Sequence, residues 1–432
     1  MTPRVFFLLW LFALAVRSIY ALVNYSPGFT AFESGDYALY RIGAEHLMQD
    51  GSFTNSLFLV RPPLYPLWVA LMEADPLRIL ISGIVAGALI APCGAVFVRL
   101  LHPDPRLALG TGFLLAIDPT GIQFSAFLGP EPFANLFLLL ALTALLRAMR
   151  DGSAAWGAAA GALLMLSAYT RPSTYLFWIP LALWWGIRHR GALFTHWRGI
   201  AVFVGVCAAG VAAWTLHNQV VFATPSFSTV APYTMVYYRA ASVERIASGQ
   251  PIEAVYIALS RRVVDYADLD IDPVDAGTRH QFLAAPPPVQ AALNRVALEI
   301  FAAHPLITLA TFPVGFARMY GLFPDTFTPL SLSLIGVNAL LLIGAGMGTI
   351  IALRQRRWTL LIAALLPIAY YTAGTLIVKS AGMDTRERSM LEPMLILLWM
   401  LAFVAWADRQ AARRRKMSPP ADSATARPAP PG

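Results

Sequence analysis

Charge is what this chain of 432 residues has least of: Asp, Glu, Lys and Arg make up 13% of it, against about 25% in a soluble domain. That deficit excludes an enzyme with a water-facing surface on all sides. Lysine is nearly absent, Lys379 and Lys416 being the whole supply, so the net charge of +8 is carried by arginine. The arginines fall in short clusters between apolar runs rather than along one basic face, which argues against nucleic acid as a partner. Cysteine is scarce too: Cys93 and Cys207 both sit inside apolar runs. They form neither a disulfide framework nor a metal-ligand spacing, and read as small core hydrophobes. The sequence contains no P-loop, HExxH or CxxC. No small-residue cleavage site precedes Asn24, so the first apolar run reads as an anchor.

What the chain has is hydrophobicity, at 57% of residues. A membrane span needs about 20 apolar residues, and that criterion predicts ten helices, at 5–23, 77–101, 107–128, 131–149, 155–170, 174–187, 199–221, 329–353, 358–379 and 390–408. The expected fold is therefore an all-α polytopic membrane protein. The apolar stretch from His304 to Phe323 is kept out of that count. An eleventh span would reverse the later basic clusters, so it reads as an amphipathic or re-entrant segment broken at Pro305 and Pro313.

With a cytoplasmic N-terminus, Arg99 and Arg106, Arg147 and Arg150, Arg188/Arg190/Arg198, Arg354/Arg356/Arg357 and the 413–416 cluster all face the cytoplasm. The acids other than Asp104, Asp151, Asp408 and Asp422 then fall outside. The expected organisation is one transmembrane domain, 1–408, with large outer segments at 24–76 and about 222–328 that include amphipathic helices. A basic cytoplasmic tail, 409–432, is rich in Pro, Ala and Ser and expected to be disordered. The expected location is the plasma (inner) membrane, with a site on its outer, periplasmic face.

The first outer loop is the most informative stretch. Glu33, Asp36, Tyr37 and Tyr40 follow an i, i+3, i+4, i+7 spacing, so one helical face could carry two carboxylates and two phenols. Asp36 is either a catalytic base or a helix cap. Arg61 precedes Pro62-Pro63, a rigid extended approach to the next membrane segment, and offers an anion contact. Glu131 opens the fourth expected span and either complements the helix dipole or belongs to a site. Arg171, in Thr170-Arg171-Pro172, either snorkels to the headgroups or does the same. Lys379, Arg386 and Arg388 lie between the last two expected spans among Asp384, Glu387 and Glu392, as a solvated hairpin or as part of a site. Arg17 lies about 9 Å of helix rise below the end of the first span, a depth at which a charge usually faces a polar cavity. Asp268, Asp270 and Asp272 alternate as in some calcium loops, but Pro273 and Arg279 occupy the Gly and Glu positions of an EF-hand, leaving an exposed acidic turn.

In order along the chain, Arg17, Asp36-x-x-x-Tyr40, Met48-x-x-Gly51, Pro62-Pro63-Leu64-x-Pro66, Glu131, Thr170-Arg171-Pro172 and Arg388-x-x-x-x-Pro393 resemble the GT-C membrane glycosyltransferases of the protein mannosyltransferase and lipid A aminoarabinose transferase type. That resemblance implies a GT-C-like fold. It also implies a sugar transferase using a polyprenyl-phosphate-linked monosaccharide donor and a glycan, glycolipid or protein acceptor. Asp36 matches the position of the family's catalytic acid, and the expected substrate-binding residues are Arg17, Glu33, Tyr40, Arg61, Glu131, Arg171, Lys379, Arg386 and Arg388. Many relatives carry an Asp-Glu pair where this chain has Asp36-Tyr37, so a divalent cation held through such a pair is left open, and no other cofactor is implied. Two readings from other classes stand beside it: a lipid-linked-sugar flippase or transporter, and a non-catalytic envelope-assembly protein.

Overall fold

The computed structural model describes residues 1–33, 36–324, 328–380 and 385–417; Asp384 and the tail from 418 on lie outside them. Among the described residues the chain is helical, its β-structure confined to one isolated bridge between Glu33 and Leu128. The helices are α1 (Pro3–Val23), α2 (Tyr37–Asp50), α3 (Leu64–Leu71), α4 (Pro76–Leu101), α5 (Pro105–Ile117), α6 (Pro119–Ala126), α7 (Glu131–Asp151), α8 (Ala154–Thr170), α9 (Trp178–Arg188) and α10 (Leu193–Phe222). They continue as α11 (Val230–Thr234), α12 (Ala241–Ser248), α13 (Ile252–Ala267), α14 (Pro287–Ala303), α15 (Pro305–Met319), α16 (Pro329–Arg354), α17 (Trp358–Val378) and α18 (Glu392–Met417).

Local sequence sets many of the boundaries. Thr2, Asp75, Asp104, Asp118 and Ser153 each accept from a backbone amide of the turn they open, and proline occupies the start of the helix after the first four. Gly51 and Gly152 close α2 and α7 in the left-handed conformation. Small residues let the long helices approach closely: a Cβ at Gly87 of α4 would run into Ser125 of α6, and one at Gly348 of α16 into the Leu398 carbonyl of α18.

Seven described helices are long and apolar enough to cross a membrane, and up to nine spans result if each bent pair counts as one. The ten expected segments are all helical, but three depart from a simple span. The third is two helices, α5 and α6, bent by 49° at Asp118. Asp118, which the charge pattern had placed with the outer acids, stands at that break. The fifth, α8, has 17 residues, and the sixth, α9, has 11. Eleven residues rise about 16 Å, roughly half the hydrocarbon thickness.

The second bent pair, α14 and α15, turns through 103°. Its break falls at Pro305 as expected, but Pro313 lies inside α15 and breaks nothing. Helix α15 leaves Leu306, Leu309, Val314 and Phe316 exposed. Helix α18 continues to Met417, so the expected tail is helical over 409–417.

Three apolar clusters form. The largest joins the long helices. A second, built from Tyr233, Tyr237, Val263, Leu293 and Val296 among others, gives the 230–300 segment its own core. The third seats the first loop on the bundle, burying Phe32, Tyr37, Tyr40 and Tyr65 against Ile79, Leu80 and Leu128.

Candidate active site

Asp36 stands at the cap position of α2, yet its side chain caps nothing. Its carboxylate lies between two guanidinium groups instead, with Oδ1 2.6 Å from Arg61 Nη2 and Oδ2 accepting from Arg386 Nη1 at 2.6 Å. Arg386 also donates through Nε to Glu131 Oε1 at 2.5 Å. Arg171 lies 3.3 Å from the same Glu131 oxygen and 3.1 Å from Glu387 Oε2, and Glu387 meets Lys379. The result is one continuous network of four cations and three carboxylates, from Arg61 to Lys379. It carries one net positive charge. Side-chain exposure is 29% at both Asp36 and Lys379 but 1% at Glu131, so the network is buried at its middle and open near its ends.

The positions follow from local structure. Asp36 and Tyr40 sit one turn apart, and the Tyr40 ring lies 5.3 Å under the Arg61 guanidinium while meeting Tyr65 edge-on at 4.8 Å. The Arg61 amide bonds back to Leu57 just before the two prolines fix the backbone. Glu131 occupies the first turn of α7, where the helix dipole favours a carboxylate. Arg171 follows the last residue of α8.

Burial alone would raise the Asp36 pKa, but the charges of Arg61 and Arg386 outweigh it and hold the carboxyl well below the ordinary carboxylate range. Burial works in the opposite direction on Arg61 and Arg386, and their acidic neighbours more than restore them, so both stay cationic. Tyr40 and Tyr65 are pushed up by burial and stay neutral phenols.

Three of the sequence candidates lie elsewhere. Arg17, 1% exposed, donates to the Leu115 and Ala116 carbonyls at 3.2 and 3.0 Å and to Ser125 Oγ at 3.2 Å. The physical reason is the break in the third span. The helical partner of the Leu115 carbonyl would be the amide of residue 119, a proline without N–H, and Arg17 supplies the missing donor. Arg17→Met should therefore destabilise the protein by about 1–3 kcal/mol for each stranded carbonyl, measured as thermal unfolding in detergent, and Arg17→Lys should recover only part of it. Arg388, 2% exposed, meets Glu392, Thr120 and the Tyr320 carbonyl rather than Asp36. Asp118 stands within electrostatic reach of both these arginines. Glu33 is exposed, and its own backbone bridges to Leu128.

The structure thus brings together Asp36, Tyr40, Arg61, Glu131, Arg171, Lys379 and Arg386. It adds Glu387, which the sequence offered only as part of a solvated hairpin and which is buried between Lys379 and Arg171. Among the described residues no group of three or more His, Cys, Asp or Glu converges to hold a metal. Each carboxylate of the network already faces at least one cation.

Beside the network runs an open, almost entirely apolar groove of about 680 Å³ between α3, α4, α7 and α8. Trp68, Leu89, Phe133, Phe137 and Leu166 line it. Two of its lining residues lead into the network: Tyr65, edge-on to Tyr40, and Thr170, next to Arg171.

No protein-family model matches this chain, and no curated protein does. Solved structures match. The archaeal oligosaccharyltransferase AglB from Archaeoglobus fulgidus, in complex with an inhibitory peptide and a dolichol-phosphate, aligns with a TM-score of 0.52 at 14% identity, over 94% of this chain and 51% of that one. The Archaeoglobus fulgidus oligosaccharyltransferase in complex with Zn and sulfate aligns with a TM-score of 0.53 at 14% identity, over 95% and 50%. The fold is GT-C-like. At that identity the likeness is one of fold, and the chain spans about half the length of the oligosaccharyltransferases it matches. Within this GT-C-like fold, the loop between α1 and α3 brings Asp36 to the turn that precedes α18.

Proposed function

We propose that this protein is a membrane glycosyltransferase that moves a monosaccharide from a polyprenyl-phosphate carrier to an acceptor on the outer face of the plasma membrane. One observation carries the reading: a network with excess positive charge stands at the end of an apolar groove. A lipid-linked sugar phosphate has the matching form, an isoprenoid tail for the groove and an anion for the arginines. The oligosaccharyltransferase of like fold was solved with a dolichol-phosphate, a ligand of the same chemistry.

Asp36 accepts the proton of the acceptor hydroxyl or amine as the acceptor atom bonds to the anomeric carbon. The bond from that carbon to the phosphate oxygen breaks, and its electron pair leaves with the polyprenyl phosphate. Arg171, Arg386 and Lys379 receive the growing phosphate charge. A single carboxylate, with no second one free to act as nucleophile, favours one displacement with inversion. The resting pairing has a consequence for order. While both arginines hold Asp36 it is a weak base, and a donor phosphate that draws on Arg386 raises its proton affinity. Donor binding therefore precedes proton removal.

Purified protein mixed with a polyprenyl-phosphate-linked sugar and an envelope extract should convert the donor to free polyprenyl phosphate, followed by chromatography of the lipid. Movement of the lipid across a vesicle bilayer without conversion would replace this reading with a flippase, and neither conversion nor movement with an assembly protein. The groove has its own test. Val85→Trp, on the groove wall, should raise the donor KM on the order of ten-fold, since the tail loses roughly one to two methylene contacts' worth of room, while a donor with a short, water-soluble tail is turned over unchanged.

A further inference from the structure

Arg386 contacts both Asp36 and Glu131, yet it does not stand on a long helix. It precedes a five-residue 3₁₀ turn, Glu387–Leu391, a form with weaker hydrogen-bond geometry than an α-helix. Something must aim its side chain. Two residues on, Arg388 leaves the same turn in another direction, into the protein, and its guanidinium divides its bonds among three elements. Nε donates to Glu392 of α18 at 2.7 Å, Nη1 to the Tyr320 carbonyl just past α15 at 2.8 Å, and Nη2 to Thr120 of α6 at 2.6 Å. Helix α6 is in turn joined to α1 through Arg17, which bonds Ser125 at 3.2 Å. The turn is also tied to α7, where Asn135 donates to Ser389 Oγ at 3.3 Å and that oxygen donates to the Arg386 carbonyl at 2.8 Å. Asn135 is one helical turn from Glu131, which holds the other end of Arg386.

Enclosure argues against ligand contact by Arg388 itself. Its guanidinium is 2% exposed and all three of its nitrogens are already bonded within the protein. A group enclosed in this way does not reach a phosphate. The Arg61-to-Lys379 network, with its extra positive charge and open ends, does.

We propose that Arg388 is a positioning residue for Arg386: it clamps the turn to α6, α15 and α18, so that the Arg386 guanidinium is already directed at Asp36 and the donor phosphate when the lipid arrives. This rests on the reading above, in which Arg386 meets the donor. Restraining the turn in advance removes an ordering cost from binding, so loss of the clamp should weaken affinity without removing any ligand contact.

The test is a double-mutant cycle on the full chain in lipid nanodiscs, with undecaprenyl phosphate as the probe and affinity read by titration. Arg388→Gln alone should weaken binding about ten-fold, the scale of one lost ordering restraint. In an Arg386→Gln background the same substitution should cost nothing further, a result that a general loss of stability would not produce. Additive losses, or unchanged affinity in a folded Arg388→Gln protein, would overturn the proposal. If Arg388→Gln does not fold, Glu392→Gln removes the anionic partner of Arg388 at constant size and must show the same dependence on Arg386. If Arg386→Gln alone leaves affinity intact, the assignment of Arg386 to the donor fails instead, and this inference falls with it.

Discussion

Replacing Asp36 with Asn is expected to cut sugar transfer about a hundred- to ten-thousand-fold, the range for removing a general base, while leaving membrane insertion intact and lowering thermal stability, since Asn no longer neutralises Arg61 and Arg386. Binding of undecaprenyl phosphate should not weaken. The substitution frees Arg61 and Arg386 from the carboxylate they share at 2.6 Å on each side and leaves the network one charge more positive. Transfer and binding therefore separate. Full transfer by the variant would remove Asp36 from the mechanism, and a parallel loss of binding would make it a structural partner of the arginines.

The pH dependence has a definite sign. Asp36 works only when ionised, and Arg61 and Arg386 hold its pKa below the ordinary carboxylate range despite burial. The acid limb of kcat/KM in the parent should accordingly lie below that range. Arg61→Gln removes one of the opposing charges and leaves the burial, so the limb should move to higher pH.

Loss of Glu131 is expected to have the largest effect on stability. Its carboxylate is 1% exposed, 2.5 Å from Arg386 and 3.3 Å from Arg171. Glu131→Ala leaves two largely buried guanidinium groups facing each other without their shared acid, a change that costs about 3–5 kcal/mol in comparable buried pairs. The measurement is the unfolding midpoint in detergent, or the yield of folded protein where the variant is too unstable to purify. Glu131→Gln retains shape and one acceptor and should lose less. An unchanged midpoint for Glu131→Ala would mean that the arginines are neutralised by other groups, and the network would need to be redrawn.

The bundle was legible in the sequence because its determinants are local. Hydropathy over about 20 residues and Asp-Pro or Thr-Pro at helix starts act within a turn or a span, and every expected segment is helical. The break in the third span also had a local signal, Asp118-Pro119 inside an apolar run, an intramembrane acid of the kind that marks a polar contact. Its partner, Arg17, was recognised as unusual by depth alone. That its role is to supply donors to two carbonyls 98 and 99 positions away could not be read from either segment.

The site was legible only in part, since each member has an adequate local explanation. Asp36 passes for a cap, Glu131 for a dipole partner, Arg171 for a snorkelling side chain, and Lys379, Arg386 and Glu387 for a solvated hairpin. Choosing between Arg386 and Arg388 was beyond sequence, because two positions on a 3₁₀ turn differ by about a third of a turn in direction and either could have faced Asp36. Composition and periodicity by themselves determined a helical membrane protein with its charge concentrated at helix ends and loops, Arg17 and Asp118 apart. Tertiary structure alone decided which charges meet, since Coulomb energy depends on distance in space and Asp36 and Arg386, 350 positions apart along the chain, are 2.6 Å apart in the fold.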